Sequence, residues 1–202
     1  MSVVCLHGLG RTPADWNGVR SGLERFGPVS APRLPRDPAA ALAVASAAVV
    51  PGDIVVGHSM GGVLALQLAR ERPPRALILT SCFFPPARNG RGVGATLTDY
   101  ARHRVAFVRA ARRGPSGGSA RALASLARLA AQPERLRVEL DAVLVIHARD
   151  DHHVPIDFAL AAASRQGWAV TVLDHGGHHP HVDEPDRWLG AAVPWLERQR
   201  TP

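Results

Sequence analysis

Ile54-Val55-Val56-Gly57-His58-Ser59-Met60-Gly61-Gly62-Val63-Leu64-Ala65-Leu66 reads as a strand, a sharp turn and a helix, with a serine at the apex. The short β-branched run suits a buried strand, and the apolar stretch after the glycines suits a helix packed on it. A serine held at such a turn takes a sparsely populated backbone conformation, and its Oγ projects from the chain. Gly57 and Gly61 belong where any side chain would collide with a neighbouring strand or helix, and Gly62 lets the helix start pack close to the sheet. The helix N-terminus under Ser59 aims free N–H groups and a positive dipole end at the apex. A serine hydroxyl is a poor nucleophile at neutral pH, so it needs a base, and the base needs an orienting partner.

Three further stretches supply candidates, each after a strand-like run. Val3-Val4-Cys5-Leu6 leads into His7-Gly8-Leu9-Gly10, followed by an expected helix over Pro13–Arg25. Ala142–His147 leads into a loop with two adjacent acids, Asp150 and Asp151. Neighbouring positions point to different sides of an extended chain, so only one of the two is expected to face a histidine. Val170–Leu173 leads into a loop with His175, His178, His179 and His181. The order along the chain is serine, aspartate, histidine.

Those motifs, in that order, resemble the α/β-hydrolases, in which Gly-x-Ser-x-Gly is the nucleophile elbow. The resemblance covers nearly the whole chain and implies roles for particular residues. Ser59 is the nucleophile. The backbone amides of Leu9 and Met60 are the oxyanion hole. The family's spacing, from a small residue (here Ala148) to the acid and on to Val154-Pro155, selects Asp151, with Asp150 as competitor. Gly177-His178 matches the family's Gly-His, which makes His178 the base. A seryl nucleophile argues against haloalkane dehalogenase chemistry, which uses an aspartate at the same elbow. One departure stands out: the family core has two more strands before the His-Gly loop, and this chain starts at what would be the third.

The expected fold class is α/β: a compact α/β-hydrolase fold with a mainly parallel sheet of about six strands, helices on both faces and a short helical lid. Strands are expected at Val3–Leu6, Val29–Ala31, Ile54–Val56, Ala76–Ser81, Ala142–His147 and Val170–Leu173. Helices are expected at Pro13–Arg25, Pro38–Val49, Gly61–Glu71, Pro155–Gln166 and Asp186–Gln199. Alternation of this kind places helices on both faces of a parallel sheet. The candidate residues all follow strand C-termini, where open α/β sheets bind ligands. At 202 residues the chain fits one domain, against a prior of roughly 150 residues per domain.

A strand starting within a few residues of Met1 leaves no room for a signal peptide. No apolar run approaches the ~20 residues that span a bilayer, and two cysteines give no disulfide framework. The expectation is a cytoplasmic protein. Cys5 and Cys82 form no Cys-x-x-Cys pair, and the histidines fit no His-Glu-x-x-His motif. No metal and no organic cofactor is expected. The surplus histidines, His147, His152, His153, His175, His179 and His181, are read as lining the mouth of the site or as solvated.

Residues 83–137 break the alternation where α/β-hydrolases insert a lid. Thr98–Arg112 and Ala120–Ala131 are its helical candidates. This segment holds eleven arginines against Asp99 and Glu134, so the chain's formal charge of +7 is concentrated there. A one-signed patch beside a cleft steers acidic partners. All 24 basic residues are arginine, which also fits a coding bias and a solvated lid without a partner. Aromatic interleaving for base stacking is missing, so nucleic acid is not expected. His-Gly-x-Gly, Gly-His-Ser-x-Gly-Gly and Gly-His-x-Pro, with an arginine-rich lid, resemble the pimeloyl-acyl carrier protein methyl ester esterases. That resemblance implies an acidic acyl carrier protein docked on lid arginines such as Arg109, Arg112 and Arg113. Arg11, after the oxyanion loop, is a candidate for a substrate carboxylate, with a surface arginine the plainer reading. The expected activity is hydrolysis of a carboxylic ester, on a small-molecule substrate or a carrier-bound methyl ester. The alternatives are a type II-like acyl thioesterase and a non-catalytic ligand-binding protein of the same fold.

Overall fold

The computed structural model describes residues 1–82, 84 and 138–200. Strand β1 (Val3–Leu6) is followed by a 3₁₀ turn (Pro13–Trp16) and helix α1 (Asn17–Glu24); β2 (Val29–Ser30) and α2 (Pro38–Ala48) come next. Then come β3 (Ile54–His58), α3 (Met60–Glu71) and β4 (Ala76–Thr80). After the undescribed segment the chain continues as β5 (Val143–Ala148), α4 (Ile156–Gln166), β6 (Ala169–Leu173), the short α5 (Pro180–Asp183) and α6 (Pro185–Arg198). The strands form one six-stranded sheet in the order β2-β1-β3-β4-β5-β6, and every neighbouring pair is parallel.

Alternation along the central strands builds two cores. Val4, Leu6, Val55, Leu77, Leu79, Val143 and Val145 face one side, with Ala41 and Ala45 of α2, Leu64 of α3, and Ala159 and Ala163 of α4. Val3, Cys5, Ile54, Val56, Ile78, Leu144 and Ile146 face the other, with Trp16, Val19 and Leu23 around α1 and Trp188, Ala192 and Trp195 of α6. Side chains of period two, buried on both faces, are what a parallel sheet between helix layers requires. The helices therefore lie on both faces, as expected.

Two differences from the expected elements are of kind, and the other expected boundaries hold to within two residues. The first helix is broken into a 3₁₀ turn and an α-helix, and the Pro180–Asp183 turn had not been expected. Segment 83–137, apart from Phe84, lies outside the described residues; so do the expected helices Thr98–Arg112 and Ala120–Ala131 and the arginines Arg109, Arg112 and Arg113. No helix among the described residues is long and apolar enough to cross a membrane.

Candidate active site

The elbow is determined by main-chain sterics. Ser59 has φ 51° and ψ −113°, a strained conformation for a residue with a side chain. A Cβ on Gly57 would sit 2.6 Å from the Gly62 Cα, and one on Gly61 only 2.0 Å from the Leu6 carbonyl oxygen. Those obstacles are backbone and cannot turn aside. At Gly62 the obstacle is the Cys82 side chain, with Sγ at 2.8 Å. Burial pushes the Cys82 thiol up and the Cys5 thiol up to about 12, so neither cysteine is a reactive thiolate.

The structure brings Ser59, His178 and Asp151 together from three strand ends. His178 Nε2 lies 3.2 Å from the Ser59 Oγ, and His178 Nδ1 lies 2.9 Å from Asp151 Oδ2. An ionised carboxylate only accepts, so Nδ1 carries the hydrogen and Nε2 is left to accept from the serine hydroxyl. Ser59 and Asp151 are buried, and His178 is half-buried.

The Asp151 carboxylate is saturated with donors. Oδ1 accepts from the backbone N–H groups of His153 and Val154 at 2.8 and 2.9 Å. Oδ2 accepts from His178 and also lies 3.3 Å from His147 Nε2. Burial would raise this acid, but the adjacent His147 ring and the hydrogen bonds from His178 and the Val154 N–H outweigh it and hold the carboxyl well below the usual carboxylate range. It is a fixed anion beside His178 at neutral pH.

Asp150 lies in the turn that follows β5, and its carboxylate goes to a different partner. Its Oδ1 accepts from the Gly177 N–H at 2.9 Å. The competitor acid thus pins the backbone of the histidine-bearing loop, a role that sequence reasoning had not given it.

The oxyanion-loop candidates flank the same spot. His7 is buried, accepts from the Leu34 N–H on Nε2 and therefore donates from Nδ1 to the Gly8 carbonyl at 2.9 Å. That carbonyl also accepts from the Arg11 N–H at 3.1 Å. Among the described residues, no main-chain carbonyl takes up the amide of Leu9 or of Met60 outside the helix ladder. The Arg11 side chain is paired with Asp15 at 2.5 Å, an acid of the 3₁₀ turn that follows it.

The extra histidines do not all behave as solvated rings. His152 and His175 are exposed. His147 and His181 are fully buried, which corrects the expectation that they line the mouth or face water. His147 donates from Nε2 to the Val154 carbonyl at 2.8 Å. His181 lies on Trp16 with ring centroids 4.3 Å apart and, among the described residues, has no hydrogen-bond partner on either nitrogen. Burial, with the neighbouring His179 and Arg11, pushes it down to about 3. His58, the variable residue of Gly-x-Ser-x-Gly, is buried too and lies 4.6 Å from the His181 ring. A histidine inside an apolar strand was the sequence signal for it.

Two groups of ligand-type side chains cluster here among the described residues: His58, His178 and His179, and Asp151, His153 and His178. Both require His178, whose two ring nitrogens already face Ser59 and Asp151. A cation in either group would have to displace one of those bonds. The donor set therefore fits proton transfer better than a resident metal.

The fold has solved counterparts. The chain is similar to the meta-cleavage product hydrolase CumD from Pseudomonas fluorescens IP01, at 18% identity and a TM-score of 0.72, over 98% of this chain and 91% of that one. It is similar to a thermophilic esterase from Thermogutta terrifontis, at 18% identity and a TM-score of 0.62, over 100% and 91%. A thioesterase domain from the curacin biosynthetic pathway matches at 19% identity and a TM-score of 0.62, over 94% and 89%. No curated protein sequence is significantly similar to the chain. Residues 3–191 match the model of the alpha/beta hydrolase family, and the chain belongs to that family.

Proposed function

We propose that this protein is a serine hydrolase that cleaves a carboxylic ester through an acyl-enzyme. The observation that carries the reading is the continuous relay from Ser59 Oγ to His178 Nε2 at 3.2 Å and from His178 Nδ1 to Asp151 Oδ2 at 2.9 Å, with the serine held at φ 51°. Ser59 attacks the carbonyl carbon while its proton passes to His178 Nε2. Asp151 holds the tautomer and stabilises the imidazolium that forms. The Leu9 and Met60 amides receive the developing oxyanion, a contribution worth ~10²–10³ in turnover per donor. His178 then returns the proton to the departing alcohol. Water attacks the acyl-enzyme by the same route in reverse.

The arginine surplus of residues 83–137 supports an anionic acyl partner such as an acyl carrier protein, bearing the acyl group as a methyl ester or a thioester. Membership of the family supports hydrolysis without choosing among these substrates.

The test is turnover of graded p-nitrophenyl esters and matched thioesters, with fluorophosphonate labelling, for wild type and Ser59→Ala. Ser59-dependent turnover and labelling are expected. Turnover that survives Ser59→Ala, or a wild type that neither turns over nor labels, overturns the reading. A preference for thioesters moves the assignment to an acyl thioesterase. Replacing Arg109, Arg112 and Arg113 with alanine tests the carrier: unchanged kcat/KM on a carrier-bound substrate removes it.

A further inference from the structure

His178 sits on a loop with little intrinsic rigidity. Gly176 and Gly177 precede it with φ of 121° and 52°, conformations that glycine adopts freely and leaves as freely. Such a loop holds a base to within a fraction of an ångström only where something outside it fastens its backbone. Asp150 does so at the Gly177 amide, from the acid's own loop. The other fastening comes from the nucleophile's own strand. His58, one residue before Ser59, contacts the carbonyl oxygen of His178 through Nε2 at 2.8 Å, across 120 residues of sequence.

A carbonyl accepts only, so His58 carries its hydrogen on Nε2. Nδ1 is then a lone pair, and it has no partner among the described residues. That side of the ring is covered by the oxyanion loop: a Cβ on Gly8 would lie 2.8 Å from His58 Nδ1 and 2.9 Å from its Cε1. One imidazole therefore touches the oxyanion loop, adjoins the nucleophile in sequence and bonds the backbone of the base. Burial, reinforced by His181, His178 and His179, keeps it neutral, so the Nε2 donor does not change with pH in the working range.

We infer that His58 is a positioning residue, whose Nε2–H bond to the His178 carbonyl sets the distance from the base to Ser59. The inference rests on the serine-hydrolase reading. It reaches the variable position of Gly-x-Ser-x-Gly, which that reading leaves without a role. Removing the donor leaves the His178 carbonyl unpaired and frees the glycine-hinged loop. A misplacement of the base by about 1 Å costs on the order of 10²-fold in turnover. Substrate contacts are untouched, so the loss falls on kcat and not on KM.

The experiment compares His58→Phe, His58→Gln and His58→Asn. Phenylalanine keeps the ring and lacks the donor. The glutamine amide nitrogen reaches about as far as His Nε2, whereas the shorter asparagine amide stops near Nδ1. His58→Phe and His58→Asn are expected to lose kcat by ~30–100-fold with KM within a factor of about three, and His58→Gln to recover to within about fivefold of wild type. The low-field proton resonance of His178 Nδ1–H, read by NMR without substrate, is expected in wild type and His58→Gln and lost in His58→Phe. Wild-type kcat in His58→Phe, or equal losses in the phenylalanine and glutamine variants with both folded, overturns the inference. Should His58→Phe fail to fold, the glutamine–asparagine pair decides alone. A wild type without turnover fails the hydrolase reading, while the NMR comparison still tests the hydrogen bond.

Discussion

Ser59 and His178 sit 3.2 Å apart but are held by opposite means. The elbow, Gly57 to Gly62, is positioned by backbone against backbone: Gly61 admits no Cβ because the Leu6 carbonyl occupies the space, and Gly57 none because the start of α3 does. The base loop, Gly176 to His181, is positioned by side chains reaching in from elsewhere, Asp150 at the Gly177 amide and His58 at the His178 carbonyl. Steric exclusion is local and nearly absolute. Hydrogen-bonded fastening is distributed and graded. Damage to the elbow should therefore act through the fold or abolish the chemistry outright. Damage to the base loop should tune the rate.

The largest effect breaks the comparison at its centre. Ser59→Ala removes the group both regions serve, and kcat on a p-nitrophenyl ester is expected to fall by about 10⁶-fold with the melting temperature close to wild type. A smaller loss would mean that another group delivers the nucleophile.

The two adjacent aspartates sharpen the contrast. Asp151→Asn leaves the shape intact but favours the wrong His178 tautomer, and a loss of about 10⁴-fold in kcat is expected. Asp150→Ala removes one fastening of the base loop and should cost about ten- to a hundredfold, the scale of one hydrogen bond to a charged acceptor at ~1.5–3 kcal/mol. Steady-state kinetics on both variants suffices. Equal losses would show that the loop acid is chemical as well as structural.

Two glycines probe the elbow by stability instead of rate. Gly61→Ala drives a Cβ to 2.0 Å from the Leu6 carbonyl oxygen, and a loss on the order of 4 kcal/mol or more is expected. Gly62→Ala meets only the Cys82 side chain, with Sγ at 2.8 Å, which can shift; ~1–3 kcal/mol suits that degree of overpacking. Urea unfolding midpoints separate the two. If the order reversed, main-chain contact would not be what shapes the turn.

The same contrast explains what the sequence revealed. The elbow was legible because its glycines act on atoms within a few residues or on the adjacent strand. Asp151 was legible because spacing to Ala148 and Val154 is local too. The parallel sheet with helices on both faces followed from strand–helix alternation, whereas the strand order β2-β1-β3-β4-β5-β6 leaves no mark in a linear pattern. The fastenings were not legible. His58 meets the His178 carbonyl 120 residues away, and Asp150 meets Gly177 across 27. His147 and His181 looked like polar residues of a histidine-rich surface, because nothing in a linear pattern shows that Trp16 will lie on one of them. The four-residue Pro180–Asp183 turn is too short to leave a periodic signal.

The smallest predicted effect concerns that buried histidine. His181 is held neutral in the folded protein, its affinity for a proton pushed down from 6.5 to about 3 by burial first and by His179 and Arg11 next. In the unfolded chain it titrates near 6.5. Above that pH both states are neutral and the group adds no pH dependence. Between 6.5 and 3 the unfolded state takes up the proton and the folded state does not, so stability falls with falling pH, by up to about 1.4 kcal/mol per unit. His58, also driven low by burial, adds a slope of the same sign. Asp151, held low by its donors, adds its own only below the ordinary carboxylate range. His181→Phe keeps an aromatic ring against Trp16 and removes the titration. Its stability loss between pH 7 and pH 5 is expected to be smaller than wild type's by up to about 2 kcal/mol, measured as urea midpoints at the two values. An unchanged slope would mean that water reaches His181 in the folded state, and that the floor beneath the base loop is softer than its packing against Trp16 and His58 implies.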